Sequence, residues 1–112
     1  MNSGLQAEQW ATQHLQQQGL KLITQNYRSR FGEIDIIMQD QDVLVFIEVR
    51  LRKSTGFGGA AASIDARKQQ RIISTAQQYI SGLRQLPPCR FDVVLIGHQA
   101  AKMEWLKNAF ET

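Results

Sequence analysis

Three carboxylates and one guanidinium stand inside two runs that otherwise read as buried strand: Gly32-Glu33-Ile34-Asp35-Ile36-Ile37 and Val43-Leu44-Val45-Phe46-Ile47-Glu48-Val49-Arg50. Charge in apolar surroundings is costly unless it is paired or holds a metal. Side chains alternate along a strand, so Glu33, Asp35 and Ile37 share one face of the first run. Leu44, Phe46, Glu48 and Arg50 share one face of the second. A turn centred on Asp40-Gln41 sets Glu33 and Asp35 directly or diagonally across from Glu48, with Cβ atoms about 5 to 8 Å apart. Carboxylates at that spacing suit one divalent cation. Mg²⁺ (or Mn²⁺) is the natural choice, because it takes one or two carboxylates and leaves positions for water and phosphate oxygen. The chemistry would be attack on a phosphodiester by an activated water, with the added charge stabilised by the metal. The same charges also make a salt-bridge network in which Arg50 pairs with Glu33, Asp35 or Glu48. Spacing alone does not separate the two.

The elements that must hold these residues follow from periodicity and punctuation. Leu5 to Gln18 reads as a helix, with Ser3 as its cap and Gly19 as its stop signal. Lys21 to Tyr27 reads as a first strand, Glu33 to Met38 as a second and Val43 to Leu51 as a third. Arg28-Ser29-Arg30-Phe31-Gly32 is a basic turn, and Gln39-Asp40-Gln41-Asp42 is another. The second and third strands are apolar at nearly every uncharged position, which predicts burial on both faces. Lys53 to Ala62 is a loop rich in Gly, Ser and Ala. A long helix runs from Ser63, its cap, to about Leu83, and Pro87-Pro88 breaks the chain. Phe91 to Ile96 is a fourth strand and Lys102 to Leu106 a weak fifth. The order is helix, three strands, helix, strand, with no repeat and no linker, which makes 1–112 a single domain.

Charged residues also fall on the helices' apolar stripes. At about 100° per residue, Glu8 lies in the sector of Leu5, Ala11 and Leu15. Lys68 and Arg71 lie in the sector of Ile64 and Ile72. Such heads often reach solvent past an apolar stem. Charges facing the sheet from both helices nevertheless predict a polar cleft where helices and strand ends meet. Arg28, Arg30, Arg52 and Lys53 would form its basic rim. Phe57, in the glycine-rich loop, is placed for stacking, although an ordinary surface loop explains it equally well. His14 and His98 have no metal-ligand spacing. Cys89 reads as a small half-buried residue, and Trp10 and Trp105 as packing residues.

Composition limits the classes. A 112-residue chain with 43% apolar and 21% charged residues is ordinary for one globular domain. Thirteen basic against ten acidic residues give +3, a mild lean towards polyanions. The single cysteine excludes an internal disulfide and fits a reducing compartment, which predicts a cytoplasmic location. No signal peptide and no membrane-spanning run is visible.

These residues resemble a known family. Gly32-Glu33-Ile34-Asp35-Ile36-Ile37, Phe46-Ile47-Glu48-Val49-Arg50 and Arg90-Phe91-Asp92-Val93-Val94 look like the GEID, (F)(I/V)EVK and RFDVV segments of the bacterial YraN family. Glu8, Asn26-Tyr27-Arg28, Lys68 and Arg71 fit the same layout, so the resemblance covers nearly the whole chain. That family is similar to restriction-endonuclease-like nucleases, archaeal Holliday junction resolvases above all. The resemblance implies an α/β fold with an αβββαβ core, a central mixed sheet flanked by helices. It implies a Mg²⁺-dependent nuclease acting on DNA, including branched or damaged DNA. Asp35 matches the first acid of the nuclease signature, Glu48 the second and Glu8 the helical Glu of some resolvase sites, with Glu33 beside them. These four would hold the metal.

Arg50 departs from the pattern, which has Lys there. Arg can hold a phosphate bidentately but cannot serve as a base. Lys68 or Lys53 is positioned to supply the missing ammonium. The alternative is a nucleic-acid-binding domain that cuts weakly or not at all, with Arg28, Arg30, Arg52, Lys53 and Arg71 as its contacts. A third class is a protein-interaction domain whose charged cluster is structural. The sequence leaves open whether it is an enzyme, DNA against RNA, and monomer against homodimer.

Overall fold

Ala7, Ala11 and Leu15, spaced four apart, are completely or nearly completely buried and form the contact stripe of helix α1, Ser3–Gln17. Two alanines in that stripe let the helix lie close to the sheet. Leu5, expected in the stripe, is instead 49% exposed. Gly19 ends the helix at φ +102, a left-handed conformation that suits glycine, and Leu20 N–H returns to the Leu15 carbonyl at 3.1 Å. The other elements among the described residues are β1 (Lys21–Arg28), β2 (Glu33–Asp40), β3 (Val43–Leu51), α2 (Ala66–Ser81), β4 (Cys89–Ile96) and β5 (Met103–Phe110). This computed structural model describes residues 3–51, 64–97 and 103–111. The expected Gly-, Ser- and Ala-rich loop of Lys53 to Ala62, with Phe57, lies outside them, as do Arg52, the expected cap Ser63, His98 and Lys102.

The five strands make one mixed sheet in chain order, β1-β2-β3-β4-β5. β3 and β4 run parallel, with α2 in their connection, and every other pair is antiparallel. The αβββαβ order is therefore present, with β5 added at the edge. Ile36, Met38, Val45, Ile47, Val94 and Ile96 pack on the α1 side. Phe46, Phe91, Val93 and Leu95 pack with Ile72 and Ile73 of α2 on the other. The central strands are buried on both faces, as their unbroken apolar runs predict. Each such side chain contributes about 1.5–3 kcal/mol.

Three expectations about the elements are corrected. The long helix begins at Ala66 with Asp65 as its cap, because the Asp65 carboxylate accepts the Lys68 N–H at 2.8 Å. The fifth strand is longer than a weak Lys102–Leu106 segment. It is secured by Asp92, fully buried on β4, which accepts from Trp105 Nε1 at 2.9 Å and Asn108 N at 2.9 Å. Arg90 joins Asp92 (3.0 Å) to Asp40 (2.9 Å), so the acid of Arg90-Phe91-Asp92 is a structural hub. Cys89 is exposed rather than half-buried.

The turn between β2 and β3 is Gln41-Asp42, with Gln41 at φ 57, one residue later than expected. The resulting register pairs Ile37 with Phe46 and Ile36 with Ile47, where the ladder ends. One step further along that register, Glu48 stands across from Asp35 rather than Glu33.

Candidate active site

The end of the β2–β3 ladder creates the site. Ile34 packs on the α2 side of the sheet and Ile36 on the α1 side, although residues two apart on a regular strand share a face. β2 therefore turns as it leaves β3, and Asp35 sits at the turning point. Its Oδ2 accepts the Val49 N–H at 2.8 Å, taking the place of a ladder carbonyl. One carboxylate thus both ends the pairing and enters the gap that the parting strands open.

Glu8 reaches this gap from α1 and Glu48 from β3. Glu8, Glu33 and Asp35 each place a carboxylate oxygen within 4.8 Å of the others. Asp35 and Glu48 also share the lining of one cleft, of about 310 Å³, together with Glu8, Ala7, Val49, Arg50 and Leu51. Desolvation first, and then the Asp35 charge, push the Glu8 carboxyl up to about 7. Desolvation, then the hydrogen bond and charge of Asp35, push Glu48 up to about 8 against the opposing pull of Lys68. Near neutral pH the cluster without a cation therefore retains protons.

The cations meet this cluster unequally. Lys68 Nζ lies 3.3 Å from Glu48 Oε2, so α2 does bring its lysine to the strand acid. Arg71 is exposed and does not lean onto the sheet; its Cβ lies against Gly32 of the β1–β2 turn. Arg50 lines the acid cleft and also a neighbouring one. Arg28 pairs with Glu33 at 2.7 Å, and Arg30 stacks over Phe31 at 4.9 Å. Arg28 ends β1 and Arg30 lies in the β1–β2 turn, which is docked to α2 by the 2.8 Å bond between Ser29 Oγ and Thr75 Oγ1.

The sequence reading did not place Asn26 in the site. Its side-chain amide acts on Glu8 and opposes the upward shift of that carboxyl. It sits within β1 at φ 54, a conformation that Asn tolerates better than most residues. Asparagine inside a strand-like run is uncommon and was an available signal. Beside it, Gln25 Nε2 donates to Thr12 Oγ1 at 2.9 Å, and Thr12 donates to the Glu8 carbonyl at 2.8 Å. These bonds fix α1 against β1 at the level of Glu8.

The acid set fits a divalent cation by its donor chemistry. Glu8 Oε1 and Glu48 Oε2 are buried and accept no hydrogen bond among the described residues, the latter despite its ion pair with Lys68. Buried acceptors of this kind are expensive unless something meets them.

The uncharacterised protein family UPF0102 matches residues 7–96. The chain belongs to the UPF0102 family. This is the YraN family of the sequence resemblance. A UPF0102 protein of Nitrosomonas europaea is 56% identical over 111 residues, covering 98% of this chain and 94% of the relative. One from Psychromonas ingrahamii is 53% identical over 110 residues, covering 98% and 90%. One from Pseudomonas fluorescens is 46% identical over 114 residues, covering 100% and 95%. The UPF0102 match spans Glu8, Asp35, Glu48 and Lys68 together.

Proposed function

We propose that this chain is a metal-dependent nuclease that hydrolyses phosphodiester bonds in DNA, branched or damaged DNA included. The observation that carries this reading is the acid cluster at the end of the β2–β3 ladder: Glu8, Glu33 and Asp35 bring carboxylate oxygens within 4.8 Å of one another, and Glu8, Asp35 and Glu48 line one cleft, with Lys68 on Glu48. Mutually repelling acids at the end of a sheet are a poor structural device. They are a good device for gathering positive charge.

Glu8, Asp35 and Glu48 would hold the cation, with Glu33 sharing the job. A Mg²⁺ or Mn²⁺ ion in that position supplies Lewis acidity and lowers the pKa of water. The side chains supply the rest. Val49 N–H fixes one Asp35 oxygen and so orients the carboxylate. Lys68 lies beside Glu48, where its ammonium can meet an anionic phosphate oxygen and donate a proton. Arg50, on the same face of β3, can hold a phosphate through two N–H groups but cannot relay a proton.

The Arg at position 50 also favours a second reading, a nucleic-acid-binding domain that cuts weakly or not at all. Incubation with branched, duplex and single-stranded DNA, with Mg²⁺, Mn²⁺ or EDTA, decides between them. Under the nuclease reading, wild type cuts with metal, EDTA stops it and Asp35→Asn abolishes it. Binding without metal-dependent cutting would leave the second reading. Calorimetry should also show Mg²⁺ or Mn²⁺ binding in wild type and its loss in Asp35→Ala, and equal affinities would remove the metal site.

A further inference from the structure

Beyond the acid cleft lies a second one of about 230 Å³, lined by Arg50, Ile64, Asp65, Arg67, Lys68 and Arg71. Four of its six lining residues are cations. Its one acid, Asp65, caps α2 by accepting the Lys68 N–H at 2.8 Å. The cap carboxylate sets a negative charge at the helix end, so the cationic side chains are the groups that would attract an anion. Lys68 reaches back to Glu48. Arg67 and Arg71 are exposed and form no ion pair among the described residues. The two clefts are joined through Arg50, which lines both.

We infer that this basic cleft is a phosphate-binding subsite, in which Arg67 and Arg71 grip the backbone phosphate next along the strand from the one presented to the acid cluster. The inference rests on the nuclease reading for what occupies the acid cleft, and it adds a path for the strand. The ligand is a phosphodiester chain and not a lone phosphate monoester, because the acid cleft beside it must be filled by the same molecule. Guanidinium groups suit the role, since each can donate two parallel hydrogen bonds to phosphate oxygens. Contacts of this kind set position and affinity and carry no sequence information. The substrate would then be read by backbone and shape. Arg28 and Arg30 sit elsewhere, at the end of β1 and in the β1–β2 turn, and Arg28 is already engaged by Glu33.

The test measures binding without chemistry. Fluorescence anisotropy of labelled duplex and branched DNA in EDTA, over a range of salt, compares wild type, Arg67→Gln/Arg71→Gln and Arg28→Gln/Arg30→Gln. The Arg67/Arg71 variant should bind about tenfold more weakly at low salt, the loss expected for one charge-assisted contact. Its salt slope on duplex should fall by about 0.9, the value for one phosphate released. Arg67→Lys/Arg71→Lys should recover the slope but not all the affinity, because charge returns without the bidentate fork. Circular dichroism confirms folding, which two exposed residues should not alter. Unchanged affinity and slope in the Arg67/Arg71 variant would overturn the inference, even if wild type cuts DNA. A slope lost in that variant, in a protein that never cuts, would uphold the subsite and remove the nuclease reading. Absence of wild-type binding would remove both.

Discussion

At the scale of single residues, the departure of this chain from the nuclease pattern concerns where an ammonium stands. Arg50 occupies the strand position that the pattern gives to Lys, while Lys68 approaches Glu48 from α2 at 3.3 Å. If Lys68 does the work of the missing strand lysine, Lys68→Ala should cost more activity than Arg50→Lys. Losing a donor aimed at developing charge costs about 10²–10³ in rate. Arg50→Lys restores the pattern's residue and should raise the rate, and Arg50→Ala should lower it. Initial rates on one DNA substrate check all three. An efficient wild type that is indifferent to both Lys68→Ala and Arg50→Lys would refute this division of roles. Asn26 belongs to the same scale. It acts on Glu8 from a positive φ, and in the sequence it is marked by the Asn26-Tyr27-Arg28 segment of the family layout and by its place in a strand-like run.

At the scale of elements, two local devices bring the site together: the parting of β2 from β3 at Asp35, and the cap that starts α2 at Asp65. The cap decides the helix's first turn and therefore where Lys68 sits. Asp65→Ala should destabilise the fold by about 1 kcal/mol, as loss of an N-cap carboxylate does. It should also weaken the hold of Lys68 on Glu48. Urea unfolding measures the first effect. The helix is capped by Asp65 where the sequence predicts Ser63, because both are good caps and periodicity does not choose between residues two apart. Gly19 was read correctly, because a left-handed stop signal is local. The β2–β3 turn was misplaced by one residue because Gln39-Asp40-Gln41-Asp42 has no glycine to mark a centre. That error exchanged Glu33 for Asp35 as the residue across from Glu48.

At the scale of the whole molecule, the acid cluster links stability to pH. The folded chain holds protons on Glu8 and Glu48 up to about 7 and about 8, whereas an unfolded chain releases them near 4.5. A carboxyl whose pKa rises on folding stabilises the folded state at pH below its unfolded value. That contribution is lost as pH climbs through the folded value. Thermal midpoints in EDTA should therefore fall between about pH 4.5 and about 8 through these two groups. Glu48→Gln cannot ionise, so its midpoint should gain on wild type as pH rises across that window. Parallel midpoint profiles for the two proteins would contradict the assignment of burial as the main cause. Added Mg²⁺ or Mn²⁺ should oppose the wild-type fall, because its ligands must be deprotonated to bind.

The sequence by itself determined the element order and the two-faced burial of the central strands. It also determined which acids stand beside apolar neighbours. These are consequences of short-range rules: alternation along strands, helical periodicity, and the cost of burying charge. From them came Glu33, Asp35, Glu48, Glu8, Lys68 and Arg71 as candidates, and the family resemblance singled out Asp35, Glu48 and Glu8 among the acids. Only the tertiary structure decided how they meet. The register came from a turn that composition left ambiguous, and the switch of β2 between Ile34 and Ile36 came from a carboxylate taking a backbone N–H on another strand. The basic cleft of Arg67 and Arg71 was likewise hidden. It depends on α2 lying beside Arg50, and a contact between residues this far apart in the chain leaves no trace in local spacing.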